Sequence, residues 1–266
     1  MSQIIRVLDS SFYAGPAGIP RSEGNSALTH QGWLRDASGK LKRAWFKLLT
    51  AADRQFVNEI TGYLLARHCQ LPCPQEAFIV HVPVDTLSRL HPHVTFDSTR
   101  ETLPLWASLD LEGRSARYHF HTPTDLLTKE LLGWDFLIDA VAFDEWIANM
   151  DRNMENLIYL GKKRWALIDH GNIIGSPAWA TPDASMRTRN VLKMLAWPGA
   201  IAPKDEDALI ASTEGHAFPF SQAIAEMRHW WGKLLPESDA KAMELFLMER
   251  LTIVPDQLKQ DFFRVC

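Results

Sequence analysis

FDEWIANMDRNMENLIYLGKKRWALIDHGN, residues 143–172, sets three polar side chains at fixed separations. Asp151 is followed five residues on by Asn156, and thirteen beyond that by Asp169. Two apolar runs fill the interval, residues 157–160 and 165–168, and Gly161-Lys162-Lys163 between them reads as a hairpin turn. A hairpin of that size carries two loops far apart in sequence to neighbouring strand ends. The set suits ATP-dependent phosphoryl transfer. The first Asp orients and deprotonates an acceptor hydroxyl, the Asn oxygen takes one Mg²⁺, and the second Asp bridges Mg²⁺ to the phosphates. Each piece alone has a plainer meaning, because Asp, Arg and Asn crowd ordinary turns by capping backbone groups. An Asp also ends many apolar strands. Their order, closed by Asp169-His170-Gly171, is what points to a site. Gly171 suits the sharp reversal that leaves a carboxylate exposed.

The loops DRNMEN and IDHG resemble the catalytic and metal-binding loops of HipA-like kinases, relatives of the phosphatidylinositol 3/4-kinase group, which write the first loop D-R-x-x-x-N. The resemblance is tight over residues 143–171, followable from about 24 to 71, and weak after Pro177. Many relatives carry His after Asp-Arg where this chain has Asn153, a change that leaves both acids and the amide intact. The resemblance implies an ATP- and Mg²⁺-dependent kinase of the serine/threonine type, often part of a toxin–antitoxin system. Its substrate would be a protein, and an antitoxin-like partner would be a separate chain. It also implies that a loop serine, Ser26 or failing that Ser22, can be autophosphorylated and so silence the enzyme.

Composition narrows the alternatives. The 266 residues, 46% of them hydrophobic, are enough for one bilobal unit or two small domains with a real core. Net charge is −4 and the longest basic run is Lys162-Lys163-Arg164, so no direct nucleic-acid partner is expected. The first residues, MSQIIRVLDSS, lack the charged lead and apolar stretch of a signal peptide. No apolar run approaches the roughly 20 residues that a membrane span needs. Cys69, Cys73 and Cys266 make no disulfide or zinc framework, and free thiols fit a reducing cytoplasm.

Along the chain, residues 3–8, 27–35 and 41–49 read as strands, the last two joined by a hairpin-type turn at 36–40. In residues 41–49 Ala44, Phe46 and Leu48 share one face, and Trp45, Lys47 and Leu49 the other. Lys47 thus has apolar neighbours on its own face, and its ammonium either snorkels to water or meets a carboxylate. Residues 53–70 have helical period with Glu59 on the apolar stripe. Glu59 is either a salt-bridge residue at the margin of that stripe or the partner of a cleft lysine, and the resemblance favours pairing with Lys47. Pro72 and Pro74 end the helix. Residues 76–82 and 103–111 read as further strands; 83–102 takes no assignment. Ser108, Leu109, Asp110 and Leu111 are the candidate hinge whose backbone reads adenine. Residues 119–121, His-Phe-His, read as a short strand, and Thr124-Asp125 as the cap of a helix over 126–132. A helix over 134–149 supports the loop at Asp151, and Asp144 within it has a structural role, holding Arg152 or loop amides. Helices are expected over 184–196, 205–235 with breaks at Gly215 and Pro219, and 238–266.

The expected fold is therefore α+β and bilobal, a single kinase-like domain. Residues 1–111 would form a small lobe of antiparallel sheet with one helix, and residues 112–266 a mainly helical lobe, with ATP in the cleft between them. Asp151, Asn156 and Asp169 form the catalytic set, with Asn156 and Asp169 as Mg²⁺ ligands. Lys47, held by Glu59, would contact phosphates, and Gly24-Asn25-Ser26 is the candidate phosphate loop, where bare amides approach anionic oxygens. Two other classes stay open: a lipid or small-metabolite kinase, and a non-catalytic nucleotide-binding interaction module.

Overall fold

Alternation of side chains in Leu41–Leu48 becomes an alternation of burial: Ala44 and Phe46 are fully enclosed, while Trp45 is 40% exposed. A chain with one face in oil and one in water has to be extended. The computed structural model describes residues 3–18, 28–49, 54–176 and 178–263. In chain order the first elements are β1 (Arg6–Leu8), β2 (Tyr13–Pro16), β3 (Leu28–Arg35), β4 (Leu41–Leu48) and α1 (Gln55–His68). Next come β5 (Ala77–Pro83), α2 (Val84–Leu90), β6 (Thr102–Leu109), β7 (Arg114–Ser115) and α3 (Ala116–Phe120). Then follow α4 (Asp125–Leu132), α5 (Leu137–Trp146), β8 (Leu157–Tyr159) and β9 (Trp165–Leu167). The remainder is helical: α6 (Val191–Ala196), α7 (Pro203–Glu214), α8 (Ala217–Leu234) and α9 (Glu237–Phe263).

Contacts divide the chain into two units, Met1–Thr50 with Pro74–Leu111, and Ala51–Cys73 with Glu112–Cys266. The first is built on a six-stranded sheet in the order β1-β5-β6-β4-β3-β2. Its core gathers Leu34, Phe46, Phe78, Val80, Leu105 and Ala107 from four strands, with Leu87 of α2. The expectation of an antiparallel sheet needs one correction: β1 lies parallel to β5, so the sheet is mixed. Residues 84–90, which take no assignment from sequence, fold as α2 by burying Val84 and Leu87.

The second unit is mainly helical, as expected, with a small sheet β7-β8-β9. The hairpin read from sequence is present: Leu157 faces Leu167 and Tyr159 faces Trp165, with the turn residues Gly161, Lys162 and Lys163 all at positive φ. Helix α1 clusters with this unit and not with the sheet. Its buried polar residues explain why, since Thr61 accepts from Trp231 Nε1 of α8 at 2.8 Å. Other corrections have local causes. Residues 119–121 belong to the end and cap of α3, whose start is capped by Ser115 Oγ accepting from Tyr118 N. The helix before Asp151 begins at Leu137 rather than at Trp134. The helix expected over 184–196 forms only from Val191. Upstream, the Arg250 guanidinium takes the carbonyls of Ala184 and Met186, both at 2.9 Å, and so holds that stretch out of a helix. The break at Gly215 is present, whereas Pro219 lies in the first turn of α8, where its missing N–H costs no helical bond. Among the described residues, no helix is long and apolar enough to cross a membrane.

His216, at the start of α8, stacks on Trp146 with ring centroids 4.7 Å apart and is only 5% exposed. Burial lowers its pKa to about 4, with the backbone bond at Thr213 opposing the shift. A histidine whose folded pKa lies below its unfolded value stabilises the fold fully above about pH 6.5. That contribution is lost as pH falls from there towards 4, because the unfolded chain binds the proton first. The stability lost by this group through that window is about 3 kcal/mol. His216→Phe keeps the stack and removes the proton, so melting curves between pH 7.5 and 4.5 should fall less steeply for the variant. Equal slopes would remove His216 from the account.

Candidate active site

The loop after α5 is shaped by asparagine side chains that stand in for backbone. Asn149 Oδ1 accepts from Asp151 N at 3.0 Å, and Asn153 Oδ1 accepts from Glu155 N at 2.8 Å. Both are Asx turns, which hold a loop tightly without regular structure. Asn149 itself is anchored by Nδ2 donating to Asp144 Oδ1 at 3.0 Å.

Arg152 lies at the centre. Its side chain and that of Asp144 are wholly buried, and they meet in a two-pronged pair: Nε to Oδ2 at 3.2 Å and Nη2 to Oδ1 at 3.1 Å. Burial raises the Asp144 carboxyl above its ordinary range, and the Arg152 guanidinium and Asn149 amide oppose that rise. The other edge of the guanidinium faces the second loop. Nη1 donates to the carbonyls of Ile168 and Asp169, and Nη2 donates to His170 Nδ1 at 3.0 Å. Guanidinium can only donate, so His170 Nδ1 is an acceptor and carries no proton. One side chain thus ties α5, the Asp151 loop and the Asp169 loop together. Asp144 has the structural role read from sequence.

Around Asp151 the amide groups converge. Asn156 Nδ2 donates to the Asp151 carbonyl at 2.7 Å and to its Oδ2 at 3.3 Å. Both partners are acceptors, so the amide nitrogen must face Asp151 and Oδ1 must face away. Asn153 donates from Nδ2 to Asp151 Oδ1 at 2.7 Å. Asn172 donates to Oδ2 at 2.8 Å. The second loop is registered on the first, since Ile168 N donates to Asn156 O at 3.2 Å. Asp169 has φ +62, a left-handed conformation uncommon for a residue with a side chain. Gly171 N reaches its Oδ1 at 3.4 Å.

Helix α1 braces the second loop. Glu59 Oε2 accepts from His170 N at 2.8 Å, and Asn58 Nδ2 donates to Gly171 O at 2.9 Å while its Oδ1 accepts from Trp179 Nε1 at 3.1 Å. A Cβ at Gly62 would lie 2.3 Å from His170 Cβ, so only glycine lets the helix approach this closely. Asn58, Gly62, Asn172 and the bracing role of Arg152 were not singled out from sequence as site residues. The one available signal was a glycine in the middle of a helical pattern, which lowers helix propensity and so hints at a close approach.

The remaining sequence candidates lie in the first unit or outside the described residues. Lys47 is half-buried on β4, opposite Thr29 of β3 and Trp106 of β6. Ser108 and Leu109 are the end of β6, and the amides of Leu109 and Asp110 donate to Glu76 O at 3.1 Å and Arg43 O at 3.0 Å. Those two amides are spent within the sheet and are not open to donate to an adenine. The Asp110 carboxylate accepts from Gln31 Nε2 at 3.2 Å and pairs with Arg43. Gly24, Asn25, Ser26 and Ser22 lie outside the described residues.

No family model matches the chain, and no curated protein matches it. Among solved structures, a Helicobacter pylori proinflammatory kinase, CtkA, is similar over 95% of this chain and 98% of that chain, at 10% identity and a TM-score of 0.49.

Removing one member of a buried ion pair strands the other. Arg152→Met should therefore cost about 3–5 kcal/mol, read as a lower urea midpoint. The double variant Arg152→Met with Asp144→Leu should recover part of that loss. A single variant as stable as wild type would show that Arg152 does not join these loops in solution.

Proposed function

We propose that the chain is an ATP- and Mg²⁺-dependent phosphotransferase, with Asp151 as the proton acceptor and Asn156 and Asp169 as the metal ligands. The observation that carries the reading is the orientation of Asn156. Its amide nitrogen is held by Asp151, and among the described residues its Oδ1 receives no hydrogen bond. An amide oxygen together with a carboxylate from an adjoining loop is a hard-oxygen donor set of the kind Mg²⁺ takes, with phosphate oxygens and water completing its shell.

Bound there, Mg²⁺ with ATP supplies an activated phosphoryl group and neutralises charge as it develops. The chain's residues do the rest. Asp151 would take the proton of the acceptor hydroxyl, Asn156 Oδ1 and the Asp169 carboxylate would hold the metal, and Arg152 keeps the two loops in register. The resemblance also offers Lys47 as a cation for the phosphates. In its finer form this reading is a HipA-like serine/threonine protein kinase acting on a protein hydroxyl in the cytoplasm. What supports that form is the D-R-x-x-x-N and D-H-G resemblance of residues 151–171.

Asp151→Ala should lower turnover of Mg-ATP by about 10²- to 10⁴-fold, the usual loss on removing a general base. Nucleotide affinity measured by calorimetry should stay within a few-fold, because the base touches the acceptor and not ATP. Near-normal turnover in the variant would sink the assignment.

A further inference from the structure

Three amides grip the Asp151 carboxylate, and its remaining open position singles out one oxygen. Oδ1 accepts from Asn153 at 2.7 Å, whereas Oδ2 accepts from Asn172 at 2.8 Å and Asn156 at 3.3 Å. An ionised carboxylate offers about four lone-pair positions, two on each oxygen. Among the described residues both on Oδ2 are occupied, and one on Oδ1 is open. Every donor is neutral. A lysine or arginine in their place would orient the carboxylate too, but its full charge would hold the ionised form and oppose proton uptake. Amides fix direction without that cost.

Asn172 belongs to neither loop motif and comes to Asp151 from beyond the second loop. Its flanks are held without its side chain. Gly171 O accepts from Asn58 at 2.9 Å, and Ile173 is wholly buried. Ile174 N and Gly175 N donate to the carbonyls of Ile147 and Ala148, both at 2.9 Å. That short ladder runs the chain back along the start of the Asp151 loop and requires Ile174 at φ +60, costly for a β-branched residue. A backbone pinned this firmly would keep its course if the Asn172 side chain were trimmed.

We propose that Asn172 is a positioning residue for phosphoryl transfer, holding Oδ2 of Asp151 so that Oδ1 is the oxygen that takes the acceptor proton. This rests on the reading of Asp151 as the base. In the step, the acceptor O–H bond breaks and its proton passes to Oδ1, while the acceptor oxygen forms a bond to the γ-phosphorus of ATP. The bond from that phosphorus to the β–γ bridging oxygen breaks, and the electron pair leaves on ADP. Asn172 and Asn156 stay on Oδ2 throughout, so the carboxylate does not rotate as its charge is lost.

The test follows ADP release from Mg-ATP, with water as the acceptor, for wild type, Asn172→Ala, Asn172→Asp and Asp151→Asn. Asn172→Ala should lower kcat about 10- to 100-fold, with KM for ATP within about two-fold. Asn172→Asp keeps the size of the side chain but puts an acceptor oxygen where the N–H donor to Oδ2 stood. It should therefore lower kcat at least as far as Asn172→Ala, with KM for ATP again within about two-fold, a split that a merely structural role would not produce. Being close to isosteric, Asn172→Asp also keeps the test decisive if Asn172→Ala does not fold. Wild-type kcat in Asn172→Ala or in Asn172→Asp, with Asp151→Asn inactive, would overturn the role of Asn172 and leave Asp151 as base. Wild-type turnover in Asp151→Asn would overturn both.

Discussion

A guanidinium with no exposure to water is stable only if each of its edges meets an acceptor, and Arg152 meets that condition by collecting them from two segments. One edge takes the Asp144 carboxylate of α5, and the other takes main-chain carbonyls at Ile168 and Asp169 with the ring nitrogen of His170. Uncompensated burial of such a charge would cost several kcal/mol, so the loops cannot separate without exposing it or stranding Asp144. The arrangement of Asp151, Asn156 and Asp169 follows from this. They are held by a charge that takes no part in the proposed chemistry.

Around that fixed point, three residues where the loops turn carry backbone strain. Ala148, Asp169 and Ile174 all have φ between 50° and 62°. Such conformations cost of order 1–3 kcal/mol each and persist only where the surroundings over-determine them. Here the surroundings are identifiable: the Ile147–Ile174 and Ala148–Gly175 bonds, Glu59 on His170 N, and Asn58 on Gly171 O. Strain and brace together aim side chains at Asp151 from two segments, with donors that orient its carboxylate and add no charge. The proposed base is thus held by geometry more than by electrostatics.

How far this was legible in the sequence depended on the range of the interactions. The hairpin at 157–167 and the loops beside it were legible, because apolar alternation, a glycine turn and charged ends are local signals. Asp144 as a structural residue holding Arg152 or loop amides was legible from its place about two helical turns before Asp151. The bracing by Asn58, Gly62 and Asn172 was not, because each acts on a loop about twenty to over a hundred residues away and looks, locally, like an ordinary helix or turn residue. The parallel pairing of β1 with β5 was hidden for the same reason, since three residues show no preference for direction. The shortened helix α6 was hidden because Arg250, some sixty residues downstream, overrides the propensity of residues 184–190.

The central claim is that the two loops stitched by Arg152 hold a metal with its nucleotide. Mn²⁺ can replace Mg²⁺ and broadens the NMR signals of nearby groups. With a non-hydrolysable ATP analogue, Mn²⁺ should broaden the side-chain amide of Asn156 and the backbone amides of Asp169 and His170. Asp169→Asn should abolish the effect at concentrations that saturate wild type, because an amide replaces a charged oxygen ligand. Sharp signals at all three groups with the nucleotide bound, or equal broadening in Asp169→Asn, would contradict the account.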